Sequence, residues 1–230
     1  MNVRELRAVL FDLDDTLYPE CEFVLSGFRA VARWGRDKLG LPYEKSYNRL
    51  REIFYNGIRG RTFNFWLEEL GFSDPEYINL AINIYREHIP IIHPFPEVPD
   101  LLKNLKKRYI LGIVTDGNWQ MQERKIEALN ISNFFTTIIL TDKLGTDYWK
   151  PSPKPFLIAL KQLGFEAGAA CYVGDNVGKD FFGARKIGLM TIWVRRNDGI
   201  YSGIEPPTPD HIPDYTIDSL NNLESLFSVH

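Results

Sequence analysis

Apolar residues follow two different rhythms along the chain. Short continuous runs rich in β-branched and aromatic residues occur at 8–12 (AVLFD), 109–115 (YILGIVT), 136–141 (TTIILT), 170–175 (ACYVGD) and 189–194 (LMTIWV), with a weaker one at 215–217 (YTI). Runs of that length, apolar at successive positions, predict strands buried on both faces. Between the later runs, at 119–130, 154–163 and 180–187, apolar positions recur at helical spacing. Strands alternating with helices predict βαβ units and a parallel sheet.

The stretch from 18 to 93 keeps only the helical rhythm, at 23–39, 44–57, 62–70 and 75–88, broken by GLP, GIRG and GFSDP. It predicts an all-helical module inserted after the first strand, which needs the later strands to complete its sheet. HPFPEVP (93–99), proline-rich, reads as the return hinge, and EPPTPDHIPD (205–214) as a surface connection. The expected architecture is α/β: a Rossmann-like core from 1–17 and 94–230, helices on both faces of its parallel sheet, and a helical domain at 18–93.

Composition changes this picture little. The net charge of −3, with both signs interspersed, argues against nucleic acid as a partner. No run approaches the roughly 18 apolar residues of a membrane span. The first residues, MNVRELRAVLFD, are charged and lack the apolar core of a signal peptide. Cys21 and Cys171 lie far apart without metal-binding spacing, which suits a reduced compartment. The expectation is a cytoplasmic protein, monomer or homodimer, in which the glycosylation-like NIS at 130–132 goes unused.

Candidate chemistry enters at the strand ends. The first run ends in FDLDDTL (11–17), the second in VTDG (114–117), and the fourth in VGD (173–175). Parallel strands would bring Asp12, Thr115 and Asp175 to the carboxyl edge of the sheet, where ligands bind in open α/β folds. One acid after a strand is ordinarily a cap or turn residue. Several converging acids repel one another unless a cation neutralises them, and a hard cation with oxygen ligands, Mg²⁺ above all, suits them.

Four segments carry a resemblance. DLDDT (12–16), VTDG (114–117), KPSP (150–153) and GDNVGKD (174–180) follow in order. In them the chain resembles the haloacid dehalogenase-like hydrolase superfamily, mostly Mg²⁺-dependent phosphatases, with its DxDxT motif, a strand ending in Thr or Ser, a Lys usually followed by Pro, and GDx₄D. The helical insertion resembles the family's first type of cap. The intervals between the later motifs leave no room for a second large one.

The resemblance implies roles residue by residue. Asp12 would be the nucleophile, forming an aspartyl-phosphate. Asp14 would be the general acid/base, facing the same pocket from two positions on. Thr115, Asp116 and Lys150 would bind phosphate. Asp12, the backbone carbonyl of Asp14, and Asp175 would hold Mg²⁺, while Asp180 would support the metal or position Lys150. Asp116 stands where related sequences often carry Asn. A carboxylate beside bound phosphate is unfavourable, so it is expected to turn away or accept from backbone N–H groups. Asp15 is expected to face outward or toward the cap, and Thr16 to brace the loop by hydrogen bonding.

Asp14 also bears on the reaction, because dehalogenases lack that acid and the superfamily's ATPases carry Thr there. The implied function is Mg²⁺-dependent hydrolysis of a small phosphorylated metabolite (sugar phosphate, nucleotide or similar). A phosphomutase is the alternative, and a silent ligand-binding relative is disfavoured by the intact set of acids. Arg59 and Arg61, on a glycine-flanked loop before Phe63 and Trp66, read as a solvated turn or as readers of an anionic substrate group; the turn is the simpler reading. Tyr18 is read as a lining, hinge or core residue, and Trp119 and Met121 as packing residues.

Overall fold

In the computed structural model, which describes residues 5–197 and 199–228, the chain parts into two units: Cys21–Ile92, and the segments up to Glu20 and from His93 onward. The cuts fall after Glu20 and after Ile92, against the expected 17/18 and 93/94. The shift at the first has a physical reason: Tyr18 stays with the strand-end loop because its hydroxyl donates to the carboxylate of Asp14.

The inserted unit is helical: α1 (Glu20–Leu39), α2 (Tyr43–Tyr55), α3 (Thr62–Glu69) and α4 (Pro75–Glu87). The inward stripe of α1 buries Phe23, Val24, Phe28, Val31 and Ala32, spaced as one face of a helix. Phe28 meets Phe54 of α2 and Phe63 of α3 edge-on, at 6.1 and 6.0 Å between centroids. The helix α4 starts sharply because Asp74 accepts from the N–H of Glu76 (2.9 Å) and Pro75 fills the first position. Phe63 and Trp66 are core residues of this unit. Arg59 and Arg61 are exposed, lying over Phe54 and Phe65.

The second unit is built on one sheet of β1 (Ala8–Phe11), β2 (Ile110–Thr115), β3 (Thr137–Leu140), β4 (Ala170–Gly174), β5 (Met190–Val194) and β6 (Tyr215–Ile217). Every apolar run named above forms one of them. The order is β3-β2-β1-β4-β5-β6, and every neighbouring pair is parallel. From β1 the chain winds outward to β3, then returns to β4 and winds outward the other way. The switch point lies between β1 and β4, and such a point opens a crevice at the carboxyl ends of its strands.

The helices here are α5 (Val98–Leu105), α6 (Trp119–Leu129), α7 (Lys154–Leu163), α8 (Phe181–Lys186) and α9 (Asn222–Ser228). On one sheet face Leu10, Val114, Tyr172 and Trp193 pack with Phe156 of α7 and Phe181 of α8. The alternate positions Val9, Phe11, Ile113, Val173 and Ile192 are equally buried, so the sheet is covered on both faces. The helix α5 corrects the reading of 93–99 as hinge alone: it begins at Val98, and Pro99 sits in the first turn, where a missing N–H costs nothing. No helix among the described residues is long and apolar enough to cross a membrane.

Candidate active site

The N–H of Asp12 donates to the carbonyl of Val173 (2.8 Å), so pairing with β4 holds Asp12 at the tip of β1. Its Oδ1 accepts from Lys150 Nζ (2.6 Å). Lys150 also donates to Asp180 Oδ1 (2.7 Å) and Tyr172 Oη (2.9 Å). Three acceptors thus use all three ammonium protons of a wholly buried side chain. Burial alone would lower the Lys150 pKa, but Asp12 and Asp180 outweigh it and hold the group well above its ordinary value. For Asp12 burial wins over Lys150 and pushes the carboxyl up to about 6.

Two glycines make this arrangement fit. A Cβ on Gly174, at the end of β4, would lie 2.5 Å from Asp180 Oδ2, so only glycine admits Asp180 behind the strand tip. A Cβ on Gly183 of α8 would lie 2.3 Å from the carbonyl oxygen of Pro151, so α8 seats the Lys150 loop directly. Asp180 Oδ2 accepts from the N–H of Asn176 (2.8 Å), which leaves both its oxygens engaged.

Asp12, Asp175 and Asp180 each offer a carboxylate oxygen, all within 4.8 Å of one another. Asp175 is buried, and no described residue donates to its carboxylate. Burial, then Asp180 and Asp12, raise its pKa well above the ordinary carboxylate range. A buried carboxylate without donors, beside two more, is a costly arrangement for a protein alone. The all-oxygen donor set fits Mg²⁺, with Asp12 and Asp175 free to ligate and Asp180 occupied in holding Lys150.

Asp14 lies in different company. Its Oδ1 accepts from Lys125 Nζ (2.7 Å) and from the Tyr18 hydroxyl, and its Oδ2 from Gln122 Nε2 (2.8 Å). Burial pushes this carboxyl up, but Lys125 and the hydrogen bonds from Lys125, Tyr18 and Gln122 overcome it and hold it below its usual value. Gln122 Nε2 also reaches Thr115 Oγ1 (2.6 Å), linking Asp14 to the tip of β2. Half-buried Glu20 is pushed up to about 7 by burial and then by the charge of Asp14.

Asp116 Oδ1 accepts from Thr141 Oγ1 (2.8 Å) and the N–H of Lys150 (3.2 Å), and Oδ2 lies 3.6 Å from Lys179 Nζ. It fastens the Lys150 loop. Asp15 departs from expectation: it is buried at φ +50°, accepting from the N–H groups of Glu20 (2.7 Å) and Ile200 (2.9 Å). It ties the β1 loop to the segment after β5, and Asp tolerates that left-handed backbone. Thr16 Oγ1 is buried without a partner among the described residues, so the expected brace is absent; the loop is held through the Thr16 carbonyl, which accepts from Arg196 (3.3 Å). Trp119 and Met121 stand in the first turn of α6, where Lys143 Nζ lies 4.4 Å from the Trp119 ring.

Gln122, Lys125 and Tyr172 escape a reading of the sequence. The signal for the first two is present: 122, 125, 126 and 129 form one helical stripe, and all four are buried. A lysine and a glutamine on such a stripe need partners. A cavity of about 1300 Å³ opens at the opposite end of the sheet, at the starts of β4 and β5, and holds none of these acids.

The family of haloacid dehalogenase-like hydrolases matches residues 9–194, which contain every residue of this cluster. The chain belongs to the haloacid dehalogenase-like hydrolases. It is 34% identical over 228 residues to a glyceraldehyde 3-phosphate phosphatase of Methanopyrus kandleri, covering 95% of each chain. It is 32% identical over 226 residues to the enzyme of that name from Methanocaldococcus jannaschii, again covering 95% of each. A solved 2-haloacid dehalogenase from Pseudomonas syringae superposes with a TM-score of 0.67 at 27% identity, covering 97% of this chain and 99% of that one. In this hydrolase the four motif segments meet at the switch point, and α6 adds Gln122 and Lys125 to them.

Proposed function

We propose that this hydrolase is a Mg²⁺-dependent phosphatase that cleaves a small phosphorylated metabolite through an aspartyl-phosphate on Asp12, with glyceraldehyde 3-phosphate the first substrate to test. One observation carries the reading: Asp12 is buried at the sheet's switch point with Oδ1 fixed by Lys150, while Oδ2 accepts no hydrogen bond from any described residue. The names of the relatives above support phosphate as the group transferred. The helical unit Cys21–Ile92 is read as the cap.

In the first step Asp12 Oδ2 attacks phosphorus and the ester P–O bond breaks, while Asp14, a carboxylate in the free protein, takes the proton of the bound phosphate monoanion and gives it to the leaving oxygen. In the second, Asp14 takes a proton from water as that water attacks phosphorus and the bond to Asp12 breaks. Lys150 holds Asp12 Oδ1 in place through both steps. Thr115 Oγ1 accepts from Gln122 and gives its own proton only to a long contact with the Asp116 carbonyl (3.5 Å), from which it can turn to a phosphoryl oxygen. Asp116 serves by holding the N–H of Lys150 rather than by touching the phosphate. Held by Asp12, the Asp14 carbonyl and Asp175, Mg²⁺ would screen the nucleophile's charge from an anionic substrate.

The test is phosphate release from glyceraldehyde 3-phosphate and p-nitrophenyl phosphate. Activity is expected with Mg²⁺ and lost on adding EDTA or in Asp12→Asn. Turnover that survives either change overturns the reading, and isomerisation without free phosphate assigns a mutase instead.

A further inference from the structure

Asp14 carries more donors than a carboxylate needs to stay in place. Lys125 Nζ (2.7 Å) and the Tyr18 hydroxyl both fall on Oδ1, while Gln122 alone falls on Oδ2 (2.8 Å). A carboxylate oxygen has two lone-pair sites. Oδ1 is therefore filled, and one site is left, on Oδ2.

The donors themselves are unusual. Lys125 and Gln122 are 4% and 1% exposed, on the stripe of α6 shared with Ile126 and Leu129. A buried ion pair is a poor stabiliser, because desolvating two charges offsets most of their attraction, and apolar residues there would pack as well. Stability alone does not account for a lysine at this place.

We infer that Lys125 is the positioning residue for Asp14, saturating Oδ1 together with Tyr18 so that the mobile proton travels only through Oδ2, toward the leaving group and back from water. This rests on the reading of Asp14 as acid/base in the proposed phosphatase. Lys125 acts on Asp14 through its hydrogen bond to Oδ1. When Asp14 transfers its proton to the leaving oxygen, Lys125 faces the carboxylate that results. The relay from Gln122 to Thr115 Oγ1 keeps that geometry in step with the end of β2.

The experiment compares kcat/KM for phenyl phosphate and p-nitrophenyl phosphate, two esters of one shape. The first has a leaving oxygen that needs a proton, and the second largely does not. Lys125→Met is expected to lower the value about 100-fold for phenyl phosphate and less than about 5-fold for p-nitrophenyl phosphate, the range in which a positioned acid acts. An equal loss on both esters, or no loss, overturns the inference. Should Lys125→Met fail to fold, Lys125→Arg keeps the cation but displaces its donor. It is expected to change the ratio of the two values about 10-fold in the same direction, and an unchanged ratio overturns the inference. Asp12→Asn, assayed alongside, separates the two claims: turnover without Asp12 removes the proposed function itself, whereas a dead Asp12→Asn with uniform loss in Lys125→Met removes only the role of Lys125.

Discussion

Asp12 and Asp14 stand two residues apart in one loop and meet opposite surroundings. Asp12 shares its space with Asp180 and Asp175, has Lys150 in contact and Lys179 farther off to balance three acids, and is raised to about 6. Asp14 has three donors upon it, and it is lowered. The first environment asks for a cation; the second is complete without one. The division between them lies in contacts: Asp12 keeps Oδ2 bare beside other acids, and Asp14 is held on both oxygens by donors. Here the division is set less by the loop than by what it faces: the Lys150 loop and α8 on one side, α6 on the other.

The sharpest way to break the contrast is to remove each acid. Asp12→Asn is expected to cut phosphate release by at least about 10⁴-fold on every ester, as loss of a nucleophile does. Asp14→Asn is expected to cost about 10²–10⁴-fold on esters that need a protonated leaving group, and far less in kcat/KM for p-nitrophenyl phosphate. Equal losses across esters in both variants would erase the distinction.

Gly174→Ala disturbs only the Asp12 side, because its Cβ would press on Asp180. It is expected to destabilise by about 1–3 kcal/mol in urea unfolding and to slow both kinds of ester alike. A selective loss on poor leaving groups would point to damage on the Asp14 side instead.

Asp175→Asn works in the other direction. It is expected to stabilise the metal-free protein by about 1–3 kcal/mol at neutral pH, since it removes a buried charge held by no donor. Melting curves with and without Mg²⁺ check this: the variant starts higher and Mg²⁺ no longer raises it. A variant that melts lower without metal would mean that Asp175 has a structural partner.

The smallest effect is in the pH dependence of metal-free stability, where the two acids have opposite signs. The folded carboxyl of Asp12, at about 6, binds its proton more tightly than an ordinary one at 3.8, so its contribution is full below about 4 and lost as pH rises through about 6. Asp14 is lowered, so its contribution is present above about 4 and lost as pH falls below that. Urea unfolding in EDTA should show Asp12→Asn flattening the first slope and Asp14→Asn the second. Both variants flattening the same slope would refute the contrast.

The Asp12 side is more legible in the sequence than the Asp14 side, for a physical reason. Strand-end residues are placed by the sheet, and short apolar runs announce a sheet, so the pattern of runs is enough to bring Asp12, Thr115 and Asp175 together. Lys150 and Asp180 come through the resemblance of their motifs. Lys125 and Gln122 depend on which face of α6 turns inward, and periodicity reports only the apolar members of that stripe. Tyr172 looks like any strand aromatic, yet its hydroxyl bridges Lys150 and the carbonyl of Val114. Asp15 defies the expectation of an outward acid because its partner, the N–H of Ile200, lies 185 positions away.

That distance has a consequence for how the protein comes into being. Lys150 reaches Asp12 across 138 positions, and the switch point joins strands from the start of the chain to strands near its end. Contacts so far apart close slowly, after local helices have formed. During refolding, helical signal should return early, while competence to release phosphate waits for β1 to insert between β2 and β4. Enzyme turnover is then a late-reporting clock for the assembly of the whole sheet.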